Sequence, residues 1–145
     1  MTLREMKDIE PESETQRNEV PLRIVLVDDD ECVRTMFGNV LRYLKHTVFE
    51  FEAAPAVLGS LIHDQLRFDL IVTDHEMPQM MGNRLGAELR ARGFSGPILV
   101  HSSSLSGDVR RLYESLGPVG FLEKPAAIGE VKASLAAIRR GNLLA

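Results

Sequence analysis

From position 23 onward, apolar residues alternate between two spacings. Ile24-Val25-Leu26-Val27 is an unbroken apolar run rich in β-branched residues, the pattern of a strand buried on both faces. Val33, Met36, Phe37, Val40, Leu41 and Leu44 then recur at helical spacing, so a helix is expected from about Glu31 to Lys45 despite Gly38, with Asp30 as its cap. The two spacings alternate to the end of the chain. Strands are expected over Thr47–Phe51, Phe68–Asp74, Pro97–His101 and Gly120–Glu123. A second helix opens near Pro55 and carries Val57, Leu58, Leu61 and Ile62. A third runs from about Asn83 to Arg92, closed by Gly93. The fourth, capped by Asp108, continues through Leu112, Tyr113 and Leu116, and the fifth runs from Ile128 to about Arg140. Five strand–helix repeats imply one α/β domain, a parallel sheet covered on both faces. Right-handed crossovers then bring every strand C-terminus to one edge.

Composition changes this picture at one end. Residues 1 to about 21 carry Glu5, Asp8, Glu10, Glu12, Glu14 and Glu19 against Arg4, Lys7 and Arg17, and read as an acidic tail or linker before a folded unit at 22–141. Leu3, Met6 and Ile9 leave a short helix open there. A net charge of −4 without a basic run argues against direct nucleic-acid binding. No apolar run reaches the roughly 18 residues of a membrane span, and the N-terminus lacks a signal-peptide core. The single Cys32 excludes an internal disulfide and suits a reducing, cytoplasmic setting; it is expected to pack at the start of the first helix, with redox sensing the alternative.

The chemistry gathers at the strand tips. The first strand ends in Asp28-Asp29-Asp30, the third in Asp74, the fourth in Ser102, and the fifth in Lys124. At about 4 Å and an effective dielectric near 20, a pair of carboxylates costs on the order of 4 kcal/mol. Such a cluster must protonate, pair with Lys124 or take a divalent cation. Oxygen ligands without a full cage favour Mg²⁺, and no His/Cys spacing suggests zinc. A site with Mg²⁺, an ammonium, a hydroxyl and a free carboxylate suits a phosphoryl group.

The segments RIVLVDDDECVR, FDLIVTDHEMPQMMG, GPILVHSS and GFLEKP, in this order and each at a strand end, resemble the receiver domain of bacterial two-component response regulators across about residues 22 to 140. The resemblance implies a flavodoxin-like (βα)5 fold with strand order 2-1-3-4-5. It makes Asp74 the phospho-acceptor and Lys124 the lysine that bonds the phosphoryl group. Asp28, Asp29 and Asp74, with the backbone carbonyl of Glu76, become the Mg²⁺ set. Ser102 and Phe121 become the switch pair, and the Lys124-Pro125 peptide is expected to be cis. Implied partners are a sensor histidine kinase or histidine phosphotransfer protein, and a downstream protein on the face of the fourth helix, fifth strand and fifth helix; a homodimer is open. The protein would catalyse only its own phosphorylation and dephosphorylation.

Other readings stay beside this one. Asp30 serves as cap or ligand. His75 flanks the pocket mouth or tunes dephosphorylation, and the Glu76 side chain sets lifetime. His101 is a satisfied, partly buried histidine or makes the switch pH-sensitive, His46 and His63 face solvent, and Met77, Met80 and Met81 pack the loop. Arg110, Arg111, Tyr113 and Glu114 form a partner face or a solvated one. About five residues follow the last helix, so no effector domain is expected at that end. A pseudo-receiver that binds without phosphate, and a haloacid-dehalogenase-type phosphatase using Asp28, are the competing functions.

Overall fold

A computed structural model describes residues 20–64 and 66–141. The acidic segment, with its candidate helix face of Leu3, Met6 and Ile9, lies outside them. Five strands, β1 (Arg23–Val27), β2 (Thr47–Phe51), β3 (Leu70–Thr73), β4 (Ile98–Ser102) and β5 (Val119–Glu123), form one parallel sheet in the order β2-β1-β3-β4-β5. Between and after them run α1 (Glu31–Tyr43), α2 (Ala54–Asp64), α3 (Gly82–Ala91), α4 (Gly107–Arg111), a 3₁₀ turn at Glu114–Leu116 and α5 (Ile128–Arg139). The flavodoxin-like strand order and the five strand–helix repeats match the expectation.

The period-2 geometry of a strand divides its apolar side chains between two cores. Val25, Val27, Ile71, Ile98 and Val100 pack with Ala54 and Val57 of α2 and with Leu85 and Leu89 of α3. Their neighbours Ile24, Leu26, Leu70, Val72 and Leu99 face the other way, onto Phe37 and Leu41 of α1 and Val131 and Leu135 of α5. Burial on both sides is why β1, β3 and β4 read as solid apolar runs rather than alternating ones.

The fourth helix departs from expectation. It is five residues long, and its cap is Ser106, whose Oγ accepts the Val109 N–H at 3.2 Å. Serine stands three residues before that donor, the spacing a cap requires. Asp108 sits within the first turn instead and pairs with Arg111 at 2.7 Å. The chain then tightens into the 3₁₀ turn. Three residues per turn put Tyr113 and Leu116 on one side, where both are buried against the sheet. The first helix stops at Tyr43 because Lys45 adopts a left-handed conformation (φ 73°), and the His46 and Lys45 amides close back onto the Leu41 and Arg42 carbonyls.

Candidate functional site

Strand register brings the chemistry to one level. Val27 pairs with Thr73 across β1 and β3, so the next residues, Asp28 and Asp74, leave the sheet side by side. Thr73 pairs with Val100, which puts Ser102 one residue beyond Asp74's level; Ser102 pairs in turn with Glu123, just before Lys124. The Asp74 N–H donates to the Val27 carbonyl and the Lys124 N–H to the Ser102 carbonyl, extending the ladders past the strand ends. The Lys124-Pro125 peptide is cis, as the resemblance implied.

Lys124 lies between the two inner carboxylates. Its Nζ is 2.8 Å from Asp28 Oδ2 and 2.9 Å from Asp74 Oδ2. Asp28 and Asp74 are buried while Asp29 is exposed, and ligand atoms of all three lie within 4.8 Å of one another. Burial pushes the Asp28 carboxyl above its ordinary value, a rise that its bonds to Lys124 and the Asp30 amide only partly offset and that the Asp74 charge increases. Burial also works against the Lys124 charge, but hydrogen bonds and charges from both aspartates outweigh it and hold the ammonium above its ordinary value. The lysine gains from two partners, whereas the more deeply buried Asp28 has one ammonium and a neighbouring anion. Three carboxylates against one cation leave negative charge uncompensated. Oxygen donors at this spacing fit a divalent cation with affinity for carboxylates.

The remaining Asp74 oxygen is held from its own loop. The His75 N–H donates to Asp74 Oδ1 at 2.7 Å. Ser102 is buried and its Oγ accepts the Ser104 N–H at 3.2 Å. Asp30 is the α1 cap, its carboxylate accepting the Val33 N–H at 3.1 Å. Glu76 points its side chain to solvent. Phe121 is half-buried, 5.7 Å edge-on from the Tyr113 ring and under the Arg110 guanidinium at 4.7 Å.

Several flanking residues sit differently from expectation. His75 is buried rather than at a pocket mouth, and its Nδ1 is 2.8 Å from the Tyr113 hydroxyl. Tyr113 is 1% exposed, so it belongs to the core side of the fourth-helix region and not to a partner face. Burial and the Asp74 charge push its hydroxyl well above the usual phenol value. His101 packs against Phe37 with the rings tilted and their centroids 4.5 Å apart, but its Nε2 is buried without a hydrogen-bond partner, and burial lowers its pKa to about 4. Cys32 is exposed. His46 is half-buried and accepts the Leu22 N–H; the His63 side chain lies outside the description. Met77 packs in the core and Met80 against it, while Met81 is 41% exposed. The expected helix through Leu112, Tyr113 and Leu116 turns Tyr113 and Leu116 inward and leaves Leu112 50% exposed. What no spacing announced was the partner of the Tyr113 hydroxyl, 38 residues away in sequence.

Comparison with known proteins gives a consistent answer. The family model for the response regulator receiver domain matches residues 24–136. Response regulator MprA of Mycolicibacterium vanbaalenii is 31% identical over 121 residues, covering 83% of this chain and 52% of that protein. A putative two-component response regulator of Arabidopsis thaliana, ARR21, is 29% identical over 110 residues, 76% of this chain and 18% of that protein. The chain thus spans about half or less of the length of these relatives. Among solved structures, the Vibrio cholerae chemotaxis protein CheY4 superposes with a TM-score of 0.76 at 23% identity, covering 82% of this chain and 99% of that one, a likeness of fold.

Proposed function

The chain belongs to the response regulator receiver domain family, and from that premise we propose that it accepts a phosphoryl group onto Asp74 and relays the change to another protein. The observation that carries this reading is the Lys124 ammonium held at 2.8 and 2.9 Å between Asp28 and Asp74, beside a three-carboxylate cluster. In the proposed reaction a carboxylate oxygen of Asp74 attacks the phosphorus of a phosphohistidine. The P–N bond breaks, its electron pair stays on the imidazole nitrogen, and an acyl phosphate forms on Asp74. Water later attacks the phosphorus, releases orthophosphate and restores the carboxylate.

The residues divide this work. Lys124 stays protonated and stabilises the charge gathering on the transferred oxygens. The His75 N–H orients the acceptor carboxylate. Asp28, Asp29 and Asp74, with the Glu76 carbonyl, would hold Mg²⁺. When bound, that ion supplies positive charge against the phosphoryl oxygens. Ser102 rotates from the Ser104 amide to the new oxygens, and Phe121 follows it. A phosphoryl group adds about −1.5 to −2 charges at the tips.

Phosphodonors in this reading are a sensor histidine kinase or a histidine phosphotransfer protein, with the reaction cytoplasmic. Output runs through the face of α4, β5 and α5, to a protein target or a second copy. Leu112, next to Arg110 and Arg111 in the chain, and Ile128 of α5 support that choice, being 50% and 44% exposed. Among the described residues no helix is long and apolar enough to cross a membrane.

Incubation with acetyl phosphate and Mg²⁺, followed by intact-mass measurement, tests the reading. One phosphoryl group is expected on the wild type, and none on Asp74→Asn or in the presence of a magnesium chelator. A wild type that takes no label from acetyl phosphate or from a phosphohistidine donor would sink the mechanism in favour of a pseudo-receiver. Label mapped to Asp28 would point to the phosphatase alternative.

A further inference from the structure

Asp74 is oriented on one side by Lys124 and on the other by a single peptide N–H, that of His75. Contacts of two kinds fix the residue that carries this N–H, one through its backbone and one through its ring. The His75 carbonyl accepts the Gly82 N–H at 2.8 Å, which ties it to the start of α3. The His75 ring is buried and lies 2.8 Å from the Tyr113 hydroxyl. The two rings also meet edge-on, with centroids 5.6 Å apart. A methyl group at Gly82 would come within 2.4 Å of the Asp74 carbonyl oxygen and 2.6 Å of the Tyr113 hydroxyl, so Tyr113 reaches into a gap that only glycine leaves open.

Tyr113 stands between α4 and the 3₁₀ turn, on the segment that leads to β5. Its ring packs edge-on to Phe121, over which Arg110 lies. The hydroxyl remains protonated at neutral pH, a donor fit for the His75 ring nitrogen. A displacement of the α4 segment therefore has a direct path through Tyr113 and His75 to the orientation of Asp74.

We propose that Tyr113 is a positioning residue for the acceptor: its hydroxyl, through the His75 ring and backbone, holds the Asp74 carboxylate and makes the carboxylate's reactivity depend on the arrangement of the α4–β5 segment. This rests on Asp74 being the phospho-acceptor. Binding at the output face that draws Tyr113 away lowers the acceptor's reactivity, and binding that seats it raises that reactivity.

The test uses Tyr113→Phe, which keeps the ring and removes only the hydroxyl, with His75→Leu and the double variant. Acyl-phosphate formation from acetyl phosphate at saturating Mg²⁺ is expected to slow about five- to tenfold in Tyr113→Phe. The double variant should be no slower than His75→Leu alone, because both changes remove one link. Amide hydrogen exchange gives a readout independent of phosphorylation: the His75 and Gly82 amides should exchange about tenfold faster in Tyr113→Phe, with Leu26 in β1 unchanged. A Tyr113→Phe variant that labels at the wild-type rate overturns the proposal whatever its exchange rates. So does a double variant whose loss is the product of the two single losses. If the His75→Leu variants do not fold, the rate and exchange of Tyr113→Phe decide alone. Failure of the wild type to label is a different result, which removes the acceptor assignment itself.

Discussion

The β3–α3 connection and the β4–β5 connection approach Asp74 from neighbouring positions, yet they are built on different terms. The first buries Asp74, His75 and Met77 and runs straight into a packed helix. Its helix α3 buries Gly82, Leu85, Gly86 and Leu89, and a methyl at Gly86 would already press on Leu116 and Ile98. The second opens with Ser103–Ser106, and its helix α4 is a little over one turn long with no buried residue. Tyr113 and Leu116 anchor it below, with Leu105 and Val109 partly buried against the same core, and Arg90 of α3 clamps its end by donating to the Leu116 carbonyl at 2.6 Å. Local opening is easiest where apolar contacts are few. The half that holds Asp74, the proposed acceptor, is thus the densely packed one, and the half suited to changing arrangement carries little packing to lose.

This contrast can be broken by experiment. The largest effect is expected from Gly82→Ala in the packed half. The added methyl meets a backbone carbonyl that cannot swing aside, so destabilisation by about 3 kcal/mol is expected in denaturant unfolding, at the upper end of overpacking costs. A variant within 0.5 kcal/mol of wild type would show that the α3 start yields as readily as the α4 region.

His101 tests how far the packed half extends along β4. Its pKa falls from 6.5 to about 4, chiefly by burial, with the Lys124 charge adding to the fall and Asp74 opposing it. A depressed pKa means the neutral ring contributes stability that is present above 6.5 and lost as pH falls towards 4. Between pH 7 and pH 5 the wild type should lose about 2 kcal/mol more than His101→Leu does. Parallel pH profiles for the two proteins would place the ring in a solvated environment, and β4 with the looser half.

The smallest effect is expected on the α4 side. Removing the exposed Asp108–Arg111 pair by Asp108→Ala should change stability by only about 0.3 kcal/mol, because solvent screens the pair. A loss above 1 kcal/mol, measured in the same unfolding experiment, would mean that α4 is held far more firmly than its exposure indicates.

The legibility of the chain follows the same division. The β1 and β3 strands were plain in the sequence because burial on both faces demands unbroken apolar runs, and their terminal aspartates stood out against them. The third helix was bounded within a residue or so, Asn83–Arg92 expected against Gly82–Ala91 observed, since glycine marks its end. The fourth helix was misjudged in length and in its cap. Val109, Leu112, Tyr113 and Leu116 fit both a continuous α-helix and a short helix followed by a 3₁₀ turn, and only the distance to the sheet below separates these. His75 is expected at the pocket mouth but lies buried, because one polar residue in a polar loop carries no mark of depth. His101 was expected to be satisfied, because a strand pattern does not show which side-chain atoms find partners.

Local spacing, then, determined the five strand–helix repeats and the chemical types at the tips: carboxylates, a hydroxyl, an ammonium; the strand order was implied by the family resemblance of the motifs, not by spacing. Each depends on neighbours within a few residues, or on short motifs that persist intact in the linear chain. Tertiary structure alone decided which of these groups touch: Lys124 bonding two aspartates 96 and 50 positions earlier, and the Tyr113 hydroxyl against the His75 ring. Those contacts depend on sheet register and on the depth of the α3 and α4 segments, set by packing summed over both cores rather than by any local run of residues.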